Sequence, residues 1–92
     1  MPLEEIRKKL DSVDKKIIDM IAARMELVKE ISQIKKDKNM PLYDKEREKE
    51  VLKNIKLYAE EQGIDTTFIE DVFKLVIFYM RQKYEGNIDE GE

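Results

Sequence analysis

The sequence predicts an all-α fold with three helices per chain, one long and two shorter, which pairs with a second copy as an intertwined dimeric six-helix bundle. Apolar residues recur at alternating steps of three and four through the first third of the chain, which is helical spacing. Charged residues make up 42% of the chain, with only three glycines and two prolines, a composition typical of helices with hydrophilic exteriors. A chain of 92 residues buries little surface alone, so we expect an oligomer.

The first helix is predicted from about Leu3 to Lys38. One row of residues, apolar except for Arg24, is expected to face another helix, and we call this row the seam. It lies at positions 3, 6, 10, 13, 17, 20, 24, 27, 31 and 34, so heptad spacing holds for more than four heptads. Such a helix is roughly 50 Å long at ~1.5 Å per residue. That length is too great for a compact globule of this size, so the helix is expected to pack against another chain.

The second helix follows a break in the segment "KNMPLYD". Pro41 disfavours helical geometry at Met40, so it is expected to separate the first two helices. Asp44 is a good N-cap for a helix from Lys45 to about Gln62, and Gly63 is a good C-terminal stop.

The third helix is predicted to start at "DTT", residues 65–67. It should fray near the polar end of the chain, where residues 86–92 are expected to form a disordered tail. One domain of residues 1–85 is therefore expected.

The composition excludes several classes of protein. Without histidine the chain lacks the usual general base and the commonest metal ligand, and without cysteine it has no thiolate site, so no metal site is predicted. A formal charge of −3 argues against a nucleic-acid partner. With no apolar run near ~18 residues and no signal-peptide pattern, we expect a cytoplasmic protein without membrane contact.

Three cations share one stripe of the first helix: Arg7, Arg24 and Lys35. Arg24 and Lys35 are eleven residues apart, within about 20° of one direction and roughly 16 Å along the axis, so they could hold opposite ends of a small anion. Arg7 lies seventeen residues before Arg24, about 25 Å away. It can meet Arg24 only if two such helices pack antiparallel, which predicts a homodimer with Arg7 contributed across the interface.

The second helix begins with three charged residues on one side, Asp44, Arg47 and Glu48, at positions i, i+3 and i+4. Together with the cations of the first helix they predict a pocket without histidine, cysteine or another obvious nucleophile. Such a pocket is poorly equipped for acid/base or covalent chemistry. It is suited to bind a polar dianion and to stabilise charge that develops during a reaction.

Two motifs in these segments are similar to those of a known family. The segment "LEEIRKKLDSVDKKIIDMIAARMELVKEISQIKK" resembles the long first helix of the all-helical, AroQ-class chorismate mutases, and "PLYDKERE" resembles their loop and second-helix motif. The two motifs occur in the family's order and with its gapless spacing, so the resemblance covers essentially the whole chain that is expected to be ordered.

The resemblance implies the rearrangement of chorismate to prephenate in the shikimate route to phenylalanine and tyrosine. Arg24, together with Arg7 of the partner subunit, would bind the two carboxylates of chorismate, and Arg47 would support this cluster. Lys35 would donate to the ether oxygen whose bond breaks. The reaction is a unimolecular [3,3] rearrangement, which needs no cofactor; the protein holds a compact conformer and stabilises the growing charge.

The resemblance also implies roles on the second and third helices. Glu48, assisted by the backbone near Asp44, would bind the ring hydroxyl. On the third helix the family's hydroxyl residue falls on Met80 and its Gln or Glu partner for the ether oxygen falls on Tyr84, and both are departures from the family pattern. Met80 offers only its backbone N–H, whereas Tyr84 could donate through its phenol, or Gln82 could substitute for it.

Two other functions stay open from the sequence. An isochorismate pyruvate lyase has the same fold and a similar set of arginines and lysine. A non-catalytic helical dimerisation module would share the heptads, with Arg24 setting the register of the seam.

Overall fold

The computed structural model of the chain describes residues 2–85. In this range three helices follow one another, α1 (Pro2–Asp37), α2 (Lys45–Glu61) and α3 (Thr66–Met80), and α3 continues into one π-helical turn, Arg81–Glu85. The prediction of an all-α chain with one long and two shorter helices is confirmed. The predicted polar tail, residues 86–92, lies outside the described residues.

α1 ends in a Schellman motif. Asn39 adopts the left-handed conformation, with φ 55°, and its N–H donates to the carbonyl of Lys36 at 3.1 Å. The N–H of Met40 donates to the carbonyl of Lys35 at 2.8 Å, which completes the motif. The helix therefore ends ahead of Pro41, which was expected to break it, because asparagine tolerates the left-handed region and turns the chain first.

Both ends of α2 and the start of α3 lie where the sequence predicted them. The Asp44 carboxylate accepts from the Arg47 N–H at 2.9 Å at the start of α2. Gly63, with φ 72°, follows the end of α2 in a conformation that glycine adopts without strain. Asp65 caps α3 by accepting from the Phe68 N–H at 2.9 Å.

α2 packs on α3, and the π-helical turn packs on α1. The molecule measures 57 × 23 × 23 Å, and its long axis corresponds to the ~54 Å expected of a 36-residue helix. None of the helices between residues 2 and 85 combines the length and apolarity needed to cross a bilayer.

The apolar surface of α1 is largely uncovered in a single chain. Among the described residues, the apolar side chains that are buried are those of Ala59 and Met80. The large apolar side chains of α1 with 40% or more of their surface exposed are Leu3, Ile6, Leu10, Val13, Ile17, Ile18, Met20, Ile21, Leu27, Ile31 and Ile34. An apolar surface of this extent is characteristic of an interaction site.

Candidate functional site

A cleft of about 150 Å³ lies between the second half of α1, the first turns of α2 and the end of α3. The structure brings six of the eight site residues predicted from the sequence into its lining. These six are Arg24, Lys35, Asp44, Arg47, Glu48 and Met80. We refer to this space, with these residues and Arg81, as the cleft.

α1 contributes two cations to the cleft. The Arg24 Nη1 atom lies 3.0 Å from the Sδ atom of Met80, so Met80 contacts the arginine through its side chain. The Lys35 ammonium donates to the backbone carbonyl of Leu42 at 3.0 Å, which ties it to the loop before α2. Because an ammonium has three N–H donors, this bond leaves Lys35 able to donate to a ligand as well.

α2 contributes its first turns. The Asp44 carboxylate serves as the N-cap, so its oxygen is engaged with the backbone of Arg47. The Arg47 side chain pairs with Glu50 and is 62% exposed, which places its guanidinium at the rim of the cleft. Glu48 is more deeply placed, with 24% of its side chain exposed.

Arg81, at the end of α3, is a cleft residue that sequence reasoning missed. Its Nη1 donates to both carboxylate oxygens of Glu48, at 3.1 and 3.0 Å. Its guanidinium carbon lies 4.6 Å from the centre of the Tyr43 ring. The sequence feature that could have identified Arg81 as a site residue is its position, because it is a cation that directly follows Met80 and the apolar run of α3.

Two predicted site residues do not line the cleft in a single chain. Arg7 is 63% exposed on the first turns of α1, where it pairs with Glu4 at 3.1 Å. Tyr84 lies in the π-helical turn, and the ammonium of Lys83 is 5.7 Å from the centre of its ring. In a single chain, therefore, neither the Arg7 guanidinium nor the Tyr84 phenol, both of which the sequence assigned to the site, lines the cleft.

The charge of the cleft suits an anionic ligand. Four cationic and two anionic side chains line it, leaving an excess of two positive charges. Apolar side chains complete the lining, namely Val28, Ile31, Val51 and Ile77. Charges beside apolar groups are screened less than charges in water, so the field of the cleft would act strongly on an anionic ligand.

Comparison with known proteins relates the chain to one family. The family model described as chorismate mutase type II matches residues 6–85. The chain is 38% identical over 89 residues to the T-protein of Enterobacter agglomerans, covering 97% of this chain and 23% of that protein. It is 33% identical over 90 residues to the chorismate mutase of Methanocaldococcus jannaschii, covering 98% of this chain and 91% of that protein.

A third relative is the bifunctional chorismate mutase/prephenate dehydratase of Enterobacter agglomerans. The chain is 36% identical to it over 76 residues, and the match covers 83% of this chain and 20% of that protein. The chain thus spans about a fifth to a quarter of the length of the T-protein and the bifunctional relative. No solved structure matches the chain.

Proposed function

The chain belongs to the type II chorismate mutase family, and on this premise we propose that it rearranges chorismate to prephenate. The family match over residues 6–85 supports a catalytic domain with the predicted bounds 1–85. The observation that carries the proposal is the cleft, whose lining has two more positive than negative charges and places Arg24 and Lys35 together. Chorismate is a dianion, so it is complementary to this excess charge.

We assign the chemistry to three cleft residues. Arg24 binds a substrate carboxylate and so holds the substrate in its compact conformer. Lys35 donates to the ether oxygen, where negative charge grows as the bond breaks, and this interaction is stronger in the transition state than in bound chorismate. Glu48 accepts from the ring hydroxyl. Arg47, at the rim, adds to the positive field over the carboxylates.

We further propose that the active form is a homodimer whose partner chain completes each cleft. The exposed apolar surface of α1 supports this, because water contact with so many large apolar side chains is unfavourable. The volume of the cleft, about 150 Å³, is below the ~300 Å³ at which ligand sites begin, consistent with a missing wall. Arg7 of the partner subunit would supply the second carboxylate contact.

The dimer is testable by sedimentation. We expect the protein to sediment as a species of twice the 11.0 kDa chain mass, and its activity to fall on dilution together with the dimer fraction. An active, folded monomer would contradict the proposal. The same dilution series followed by circular dichroism serves as the control for simple unfolding.

The activity is testable by one assay with product identification. Incubation with chorismate should yield prephenate, and incubation with isochorismate should yield no pyruvate. Release of pyruvate would instead identify the lyase that shares this fold. If the chain were a dimerisation module without catalysis, neither substrate would be consumed, and a stable dicarboxylate analogue of the compact conformer would not raise the Tm, because only a ligand of the native state stabilises it.

A further inference from the structure

The ion pair between Arg81 and Glu48 differs from the other ion pairs of residues 2–85. Its side chains are 14% and 24% exposed, whereas most of the others join residues three or four apart on the surface of one helix. It joins the end of α3 to the first turn of α2, positions 33 residues apart. Both carboxylate oxygens of Glu48 accept from the same Arg81 nitrogen.

Aromatic rings fix the orientation of the Arg81 guanidinium. Its carbon lies 4.6 Å from the centre of the Tyr43 ring and 5.9 Å from that of Phe78, both within cation–π range. Tyr43 directly precedes the N-cap of α2, so the guanidinium is held relative to the turn that carries Glu48. Because the guanidinium group is planar and rigid, these contacts set the direction from which Glu48 is bound.

Stability alone does not account for this pair. Partly buried ion pairs are often replaceable by apolar groups without loss of stability, since the desolvation of both charges opposes their attraction. In addition, the Nε atom of Arg81 is buried without a hydrogen-bond partner among the described residues, which is unfavourable. An apolar residue at this position would avoid both of these costs, so the arginine is better explained by what it does to Glu48.

The surroundings of Glu48 show what that effect is. Arg24, Lys35 and Arg47 line the same cleft, and an unrestrained Glu48 carboxylate would be drawn toward them. It would then neutralise cations that the substrate carboxylates need. Bound by Arg81, the carboxylate stays on the side of the cleft where α2 meets α3. Since a carboxylate has about four lone-pair sites, it can still accept from a hydroxyl.

We propose that Arg81 is a positioning residue that holds Glu48 as the hydrogen-bond acceptor for the ring hydroxyl of the substrate. The inference rests on the proposed function and adds a residue to it. Through Arg81 the end of α3 also contributes a polar group to the cleft, although Met80 has no hydroxyl and Tyr84 does not line this space.

The first test compares Arg81→Met with Lys83→Met. Both remove one positive charge from the same π-helical turn, but Lys83 is exposed and does not line the cleft. Arg81→Met should lower kcat/KM by about tenfold or more, mainly by raising KM, because the ring hydroxyl keeps its bonds during the reaction and its binding is shared by substrate and transition state. Lys83→Met should stay within about twofold of wild type. A loss confined to kcat would overturn the positioning role, since it would place Arg81 at the breaking bond.

A double-mutant cycle with Glu48→Gln separates positioning from general structural damage. If Arg81 acts through Glu48, the double variant Arg81→Met/Glu48→Gln should lose little more activity than Glu48→Gln alone. Independent, multiplying losses would overturn the inference. Should Arg81→Met fail to fold by circular dichroism, Arg81→Lys keeps the charge but not the planar guanidinium that lies over the Tyr43 ring, and it should still raise KM by about threefold or more. An unchanged KM in Arg81→Lys would then overturn the inference.

The outcome for wild type distinguishes the two proposals. An inactive wild-type protein would overturn the proposed function and, with it, this inference. If the wild type is active and Arg81→Met and Lys83→Met change KM and kcat to the same extent, this inference is overturned and the proposed function stays intact.

Discussion

Replacing Lys35 with alanine is expected to lower kcat/KM by about a hundredfold or more, which is about 3 kcal/mol of transition-state stabilisation. The ammonium is part of the cleft lining and is anchored to the Leu42 carbonyl at 3.0 Å, so it is already in place before charge develops. A donor that is preorganised in this way acts mainly on the transition state, and the loss should therefore appear in kcat. The measurement is steady-state chorismate consumption at saturating and at low substrate.

Lys36→Ala is the matched control for Lys35→Ala. It removes the neighbouring cation from the last turn of α1, where the side chain is exposed and does not line the cleft. Its activity should stay within about twofold of wild type, because exposed charges contribute little. Thermal unfolding of both variants shows whether loss of the Leu42 contact alters the fold. Near wild-type turnover in a folded Lys35→Ala protein would remove Lys35 from the mechanism.

The same expectation holds for Arg24→Ala, with a loss of about a hundredfold or more in kcat/KM. Arg24 lines the cleft beside Met80. In the proposed function it binds a carboxylate, which, unlike the ether oxygen that Lys35 contacts, keeps its charge throughout the reaction. The loss should therefore include a clear rise in KM. Lys29→Ala, an exposed cation of the same helix, provides the control.

The elements of the fold could be predicted because their ends depend on neighbouring residues alone. Asp44 and Asp65 cap the helices that follow them, and Gly63 takes the left-handed conformation that ends α2. α1 ends at Asp37, one residue before the predicted end, but the residue that turns the chain is the left-handed Asn39 and not Pro41. Asparagine adopts this conformation less readily than glycine does, so its signal in the sequence is weaker.

The candidate site could be predicted in part for a similar reason. Helical periodicity places Arg24 and Lys35 on one face whatever surrounds α1, and both line the cleft. The role of Arg81 depends on how the end of α3 meets α2, which no local pattern encodes. Tyr84 was assigned by counting without gaps along the family's third helix, but the chain there is π-helical, with turns that close at i+5, and Tyr84 does not line the cleft.

The last prediction concerns Arg7, which a single chain leaves far from the cleft. If Arg7 of the partner subunit completes the site, the variants Arg7→Ala and Arg24→Ala, each inactive alone, should regain activity after they exchange subunits. In a heterodimer one site has both defects, while the other combines an intact Arg24 with an intact Arg7. A statistical mixture should therefore recover about a quarter of wild-type activity, on the premise that distant sites act independently.

The control for this exchange mixes Arg24→Ala with Lys35→Ala. These two residues line the same cleft of one chain, so every site in that heterodimer has a defect and no activity should return. Exchange is driven by mild denaturant followed by dilution, and mass spectrometry verifies the heterodimers. If they form and the Arg7 and Arg24 variants still recover nothing, the two arginines do not meet across a dimer. Arg24 would then be better explained as a residue that sets the register of the α1 seam, because an isolated polar residue in an apolar seam specifies how two helices align.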